Sequence, residues 1–321
     1  MDVLSNLSGP RMVGWVKSNS DAFAFPLKVS HYIELVNPLW ADHSMQARIV
    51  DVWDETSSAR TLTLPDYVHK RIVFTGDAAH LLPIFGVRGA NTAFQDAQSL
   101  GWHLAYVVKG HAPEQLMQNH SAERVGAARE IITEAGKSTR FMAPPSRGFR
   151  LLRDAVLSLS LTQEFVRPLY HWRTSRPHAY SHSLLNSPCD DNALFTDGPG
   201  LGAPPQNVQL QTDSYLLDYL GGGFDLVYVA DAQGLPPAIS QAVVTLQRQG
   251  VPLKLTAISA EAKHIEGAQQ TLHDPQQRFA ERYAVQAGGA YLFRPDQHIC
   301  ARWHKLDAAR LLQSLQVALM Q

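Results

Sequence analysis

The chain has 321 residues, 45% hydrophobic and 18% charged, with a formal net charge of −1. Such a chain can bury sizeable cores, in about two domains, and it lacks the basic footprint that nucleic acid or an anionic membrane would demand. No run of about 18 apolar residues is present to cross a bilayer, so neither nucleic acid nor membrane is expected as a partner.

The N-terminus, Met1-Asp2-Val3-Leu4-Ser5-Asn6, lacks the basic and apolar regions of a secretory signal, which makes a cytoplasmic location the expectation. Up to about residue 60 the pattern is one of short alternating segments, Ala22 to Leu27 and His31 to Val36, read as strands of a sheet. Arg71-Ile72-Val73-Phe74-Thr75 is a compact apolar, β-rich run closed by Gly76-Asp77, the mark of a buried strand that ends at a loop. That loop carries Pro83, Gly86 and Gly89. Asn91-Thr92 can then cap a helix whose apolar positions Ala93, Phe94, Ala97, Leu100, Leu104, Val107 and Val108 recur at three- and four-residue steps, with Gly110 placed to end it.

Two more helical stretches follow, Pro113 to about Thr139 and Phe149 to Tyr170, read as packing helices with a homodimer face as a further option. Asn186 to Pro205 is rich in Pro and Gly, and a domain boundary is placed there. Beyond it the predicted order is a strand (Phe224 to Val229), a helix (Pro237 to Gln249), a strand (Leu253 to Ile258), a helix (Pro275 to Tyr283), a hairpin (Gly289 to Phe293 and Ile299 to Trp303) and a last helix (Asp307 to Leu319). This βαβ unit followed by ββα is the thioredoxin-like order. The two cysteines, Cys189 and Cys300, are far apart and form no CxxC pair, so they are read as structural or incidental thiols. Fourteen histidines are scattered with no HExxH pattern, and no metal site is expected.

Residues 71 to 105 carry the chemistry. Asp77, just past a strand end, can accept hydrogen bonds from sugar or polyol hydroxyls. Gly86 and Gly89 allow positive φ and close backbone approach to a flat ring, while Pro83 stiffens the loop. The N-terminus of the following helix offers free N–H groups and partial positive charge to a ligand with a negative edge, such as a reduced flavin. On spacing alone a strand, a GD turn and a capped helix also occur as plain scaffold, and that reading stays open.

The segment Gly76-Asp77-Ala78-Ala79-His80, with Pro83, Gly86, Gly89, Asn91, Asp96-Ala97, Leu100, Trp102 and Leu104-Ala105, resembles the GD motif of the group A flavoprotein monooxygenases, relatives of para-hydroxybenzoate hydroxylase and phenol hydroxylase. The resemblance implies a mixed α/β fold in which a partial FAD-binding hydroxylase fold precedes a thioredoxin-like domain. Residues 1–60 would be the tail of the substrate-binding sheet, 61–190 the C-terminal part of the FAD-binding domain, and 198–321 a thioredoxin-like domain without redox cysteines. It implies FAD as cofactor, with Asp77 on the ribityl chain, Pro83 beside the isoalloxazine, and Gly89, Ala90 and Asn91 at its pyrimidine end. Gly76 and Gly86 complete the cofactor set, and His80 is read as shaping the loop.

Two departures stand out. Val87-Arg88 replaces the frequent Gly-Gln, and His103 replaces the usual Lys after Trp102. Arg60 and Tyr67 match the approach to the strand, and Phe23, Phe25, Trp40 and Pro83 are local candidates for substrate contact, although ordinary burial is the plainer reading of these residues.

A complete member also begins with a GxGxxG dinucleotide-binding turn, which this sequence lacks. About 200 residues of a family-length protein are therefore expected to be missing, as in a truncated or split product. The implied activity is hydroxylation of an aromatic, phenolic substrate using NAD(P)H and molecular oxygen, with no catalytic acid or base assigned. The alternative is a noncatalytic assembly or binding module with a vestigial flavin site.

Overall fold

The structure is a computed structural model that describes residues 61–83, 88–169, 177–187, 191, 194–195 and 197–321. The strands expected at Ala22 to Leu27 and His31 to Val36, together with Phe23, Phe25, Trp40, Arg60, Gly86 and Cys189, lie outside these residues.

The described part is a mixed α/β structure. Four two-residue strands open it: β1 (Leu62–Thr63), β2 (Val68–His69), β3 (Ile72–Val73) and β4 (His80–Leu81). β2 and β3 form a tight antiparallel hairpin through Lys70, whose φ of 55° lies in the left-handed region, and β1 pairs antiparallel with β4. The long buried strand expected over 71–75 is not formed: β3 is two residues long and Ile72 is exposed. Burial on both faces of a strand needs neighbours on each side, and among the described residues β2 is the one strand that pairs with β3.

Three helices follow, α1 (Gly89–Val108), α2 (Gln115–Met142) and α3 (Arg147–Leu159). α1 starts two residues before the expected Asn91 cap; Arg88 occupies the N-cap position and caps with no side chain. Gly110, at φ 74°, ends the helix as predicted, its N–H donating to the Val107 carbonyl.

The face that α1 buries is not its apolar one. Thr92, Asp96, Ser99, Trp102, His103 and Tyr106 point inward, while Ala90, Phe94, Ala97, Gly101, Leu104 and Val108 form an exposed stripe at alternating four- and three-residue steps. Apolar periodicity locates a packing face but does not say which neighbour takes it. Here the inward polar groups are held by α2 and by the C-terminal part of the chain. α3, capped by the Ser146 hydroxyl, buries only Val156 and leaves Leu151, Leu152, Leu157 and Leu159 exposed.

From Gln209 the chain builds a short hairpin, β5 (Gln209–Gln211) with β6 (Ser214–Tyr215), and then a five-stranded sheet. Its elements are β7 (Phe224–Val229), α4 (Pro237–Arg248), β8 (Leu253–Ser259), β9 (Gln270–His273), α5 (Arg278–Tyr283), β10 (Ala290–Phe293), β11 (Ile299–Trp303) and α6 (Ala308–Ala318). The strand order is β11-β10-β7-β8-β9, with β7, β8 and β9 parallel and β10 and β11 antiparallel.

Both sheet faces are covered, so the strands read as continuous apolar runs. Leu226, Leu255 and Leu292 face α4 and α6; Val227, Ile258 and Tyr291 face Phe279, Tyr283 and Leu210. The first of these cores also takes in Trp102, Tyr106 and Leu116 from α1 and α2. The helices and the sheet are therefore joined by one apolar core, each large side chain in it contributing about 1.5–3 kcal/mol.

Candidate functional site

Gly76, Asp77 and Ala78 form a single 3-10 turn directly after β3 that packs against α1. Gly76 needs to be glycine: its φ is +58°, and an added Cβ would sit 3.3 Å from the Ala93 Cβ. Ala79 anchors the far side of the turn in a small core with Tyr67, Val125 and Ala128, and Asp77 and Ala78 are left exposed. The Asp77 carboxylate thus faces outward, open to a ligand.

The other expected cofactor residues are less uniform. Ala90 and Asn91 lie exposed in the first turn of α1, whose positive dipole end would meet a ligand's negative edge. Gly89 is the first residue of that helix and does not use the left-handed freedom that glycine allows, whereas Gly76 does. A Cβ on Gly89 would meet nothing within 4 Å. Pro83 is buried rather than laid open beside the turn. An exposed acceptor followed by an exposed helix start fits the polyol chain and anionic ring edge of a flavin; a dinucleotide's other half finds no counterpart among the described residues.

Behind this surface lies a buried polar network that the sequence reading did not assign. Asp96 accepts from the Gly76 N–H (3.0 Å), from His80 Nε2 (2.7 Å) and from Arg124 Nε (2.5 Å). Burial would raise the Asp96 pKa, but these donors and the Arg124 charge outweigh it and hold the carboxyl below its ordinary range. Arg124 also donates to the Tyr180 hydroxyl (2.7 Å) and the Thr92 carbonyl (3.3 Å). His80 is buried and bound to Asp96.

A second knot adjoins it. Arg294, fully buried in the turn after β10, donates to both Glu123 oxygens (2.6 and 3.0 Å) and both Asp296 oxygens (3.0 and 2.6 Å). Its guanidinium carbon stands 5.4 Å from the Trp102 ring and 5.3 Å from that of Tyr180. Trp102 Nε1 donates to Asp296 (3.0 Å). Burial would push the Glu123 and Asp296 carboxyls up, but the facing guanidinium wins and holds both low.

His103, which replaces the usual lysine, is also inside. Its Nδ1 donates to the Ser99 carbonyl (2.7 Å), and its ring meets that of His120 edge-on at 5.4 Å. Burial pushes His103 down to about 4 and His120 down to about 3, so both imidazoles are neutral at pH 7. Arg294 carried a signal that could have been read, since a charged Arg-Pro-Asp turn within an apolar hairpin needs a buried counter-charge; Glu123 and Arg124 carried none, because the helix around them is rich in other polar and charged residues.

Cys300 is buried, its thiol pushed up to about 12 by burial, which suits a structural role. Among the described residues no group of three His, Cys, Asp or Glu side chains could hold a metal ion, and no helix is long and apolar enough to cross a membrane.

Residues 27–135 match the family model of the FAD binding domain, and the chain is similar in sequence to aromatic hydroxylases and monooxygenases. It is 39% identical over 155 residues to a 3-(3-hydroxy-phenyl)propionate/3-hydroxycinnamic acid hydroxylase of Mycolicibacterium smegmatis, covering 48% of this chain and 28% of the relative. It is 29% identical over 287 residues to the 4-methyl-5-nitrocatechol 5-monooxygenase of a Burkholderia species, covering 86% of this chain and 47% of the relative. In fold it is similar to aklavinone-11 hydroxylase, solved with FAD and aklavinone, at a TM-score of 0.62 and 22% identity over 94% of this chain and 53% of that one. The chain thus spans about half the length, or less, of the relatives it matches.

Proposed function

We propose that this chain supplies the flavin-ring end of an FAD-dependent monooxygenase that hydroxylates a phenolic substrate with NAD(P)H and molecular oxygen. The observation that carries the reading is the exposed Asp77 carboxylate beside the exposed first turn of α1, within the segment that matches the FAD binding domain. Asp77 would accept hydrogen bonds from the ribityl hydroxyls, and the N–H groups at Gly89, Ala90 and Asn91 would meet the pyrimidine edge. Gly76 lets the turn lie close to α1, and Gly86 and Pro83 complete the proposed cofactor set. A bound flavin would supply the oxygen chemistry, and the chain's own part is to bind, orient and stabilise negative charge at the helix start. The hydroxylases named above, whose activity is on aromatic rings, support the substrate class.

Residues 198–321 are proposed to form a thioredoxin-like domain with a structural role. The order β7-α4-β8, then β10-β11-α6, supports this, as does the absence of a cysteine pair. A second reading, a noncatalytic assembly module that pairs as a homodimer, is favoured by the exposed leucines of α3.

Flavin titration separates the two. The full chain, mixed with FAD, should quench flavin fluorescence, and Asp77→Ala should weaken binding about 10-fold or more, the usual loss for hydrogen bonds to a charged group. Colourless protein that takes up no FAD, with or without Asp77, would leave the assembly module as the better account.

A further inference from the structure

The turn that carries Asp77 is tied to the C-terminal sheet by an unbroken buried chain of hydrogen bonds. It starts where the Ile299 carbonyl of β11 accepts from the Gly202 N–H (2.7 Å), and the Gly202 carbonyl accepts from the Tyr180 N–H (2.8 Å). Tyr180 then receives Arg124 on its hydroxyl, Arg124 holds Asp96, and Asp96 takes the Gly76 N–H and His80. Each side chain along this path is buried. Gly202, at φ +74°, lies so close to Tyr180 that an added Cβ would stand 2.2 Å from its carbonyl carbon and oxygen. Tyr180 is thereby clasped to the sheet by its backbone while its hydroxyl reaches the helices, and its ring stacks near His298 (4.4 Å) and Arg294.

We propose that the C-terminal sheet sets the conformation of the Gly76–His80 turn through this relay, with Tyr180 and Arg124 as positioning residues for flavin binding. The inference deepens the flavin reading and rests on it. Three groups converge on one carboxylate, and Asp96 can present both oxygens correctly only while the Arg124 fork is held. Among the described residues, Tyr180 is the side-chain acceptor that holds the fork from the sheet side. A left-handed Gly76 that loses its N–H partner is free to leave the conformation that turns Asp77 outward.

Hydrogen exchange on the full-length chain tests this. Tyr180→Phe removes only the hydroxyl and keeps the ring, so it should speed amide exchange in the peptide spanning 74–82 by about 10-fold. Ser314→Ala is the control, because it removes a buried hydroxyl bonded to Ser187 (2.8 Å) in the same C-terminal part but off the relay. It should leave that peptide alone. Unchanged exchange in Tyr180→Phe, or equal acceleration in both variants, overturns the proposal. FAD titration runs beside it: Tyr180→Phe should weaken binding several-fold. A turn that loosens in Tyr180→Phe while neither wild type nor Asp77→Ala binds FAD would refute the flavin assignment and leave the mechanical coupling standing.

Discussion

Arg294 satisfies two carboxylates at once and belongs to none of the positions the motif singles out. Such a group is costly to disturb, because removing one counter-ion leaves a guanidinium stranded away from water. Glu123→Ala should lower folding stability by about 3–5 kcal/mol, read as a drop in the urea midpoint with an unchanged slope. A loss below about 1 kcal/mol would mean that Asp296 alone compensates the charge. The same residue scale shows what the sequence could tell. Asp77 stood out through the whole motif and not through its spacing, which plain scaffold shares, and the structure leaves it exposed. Of the two glycines read as free to take a positive φ, Gly89 does not use that freedom, since α1 begins earlier than its apparent cap, and Gly86 lies outside the described residues; Gly76 does take a positive φ.

The elements of the C-terminal half were legible almost to the residue, because apolar strands and amphipathic helices there pack against one another within the described chain. β7, β10 and β11 and the helices α4 and α6 fall within a residue or so of expectation. β9, β5 and β6 went unread: Gln270–His273 is polar at alternate places and only parallel pairing to β8 makes it a strand. α1 was found, but its inward face was not, since Asp96, Ser99 and His103 look like solvent-facing residues until α2 and the Arg-Pro-Asp turn are brought beside them. The clasp between Tyr180 and Gly202 belongs to the linker segments, where Pro and Gly hide any period. Gly202→Ala should be severely destabilising, by about 3 kcal/mol or more, since it combines a left-handed backbone with a backbone collision. Gly222→Ala provides the comparison: its φ is +86° but nothing lies within 4 Å, so it should cost about 1–2 kcal/mol. Thermal melts of the two variants would show the gap, and equal melting temperatures would contradict the close approach.

At the scale of the whole molecule, pH dependence follows from the two buried imidazoles. An unfolded chain protonates His103 and His120 near pH 6.5, whereas the folded chain resists until about 4 and about 3. Between those values the unfolded state binds more protons, so stability falls as pH drops from about 6.5 towards 4. Asp96, Glu123 and Asp296, all held low in the folded state, lose their contribution in acid as well, and the two effects add. Melting temperature should therefore decline steeply between pH 7 and 5, and His120→Gln should flatten that decline; an equally steep curve in the variant would clear the histidines of the effect.

The continuity of the core from Trp102 and Leu116 into the sheet bears on how such proteins can be recombined. A crossover placed in the Pro-Gly stretch near residues 186–205 looks harmless on the page, yet it separates Glu123 from Arg294, Trp102 from Asp296 and Tyr180 from Gly202. Hybrids between homologous parents would need to inherit those pairs together, so the heritable module is the lock between the two halves and not either half alone.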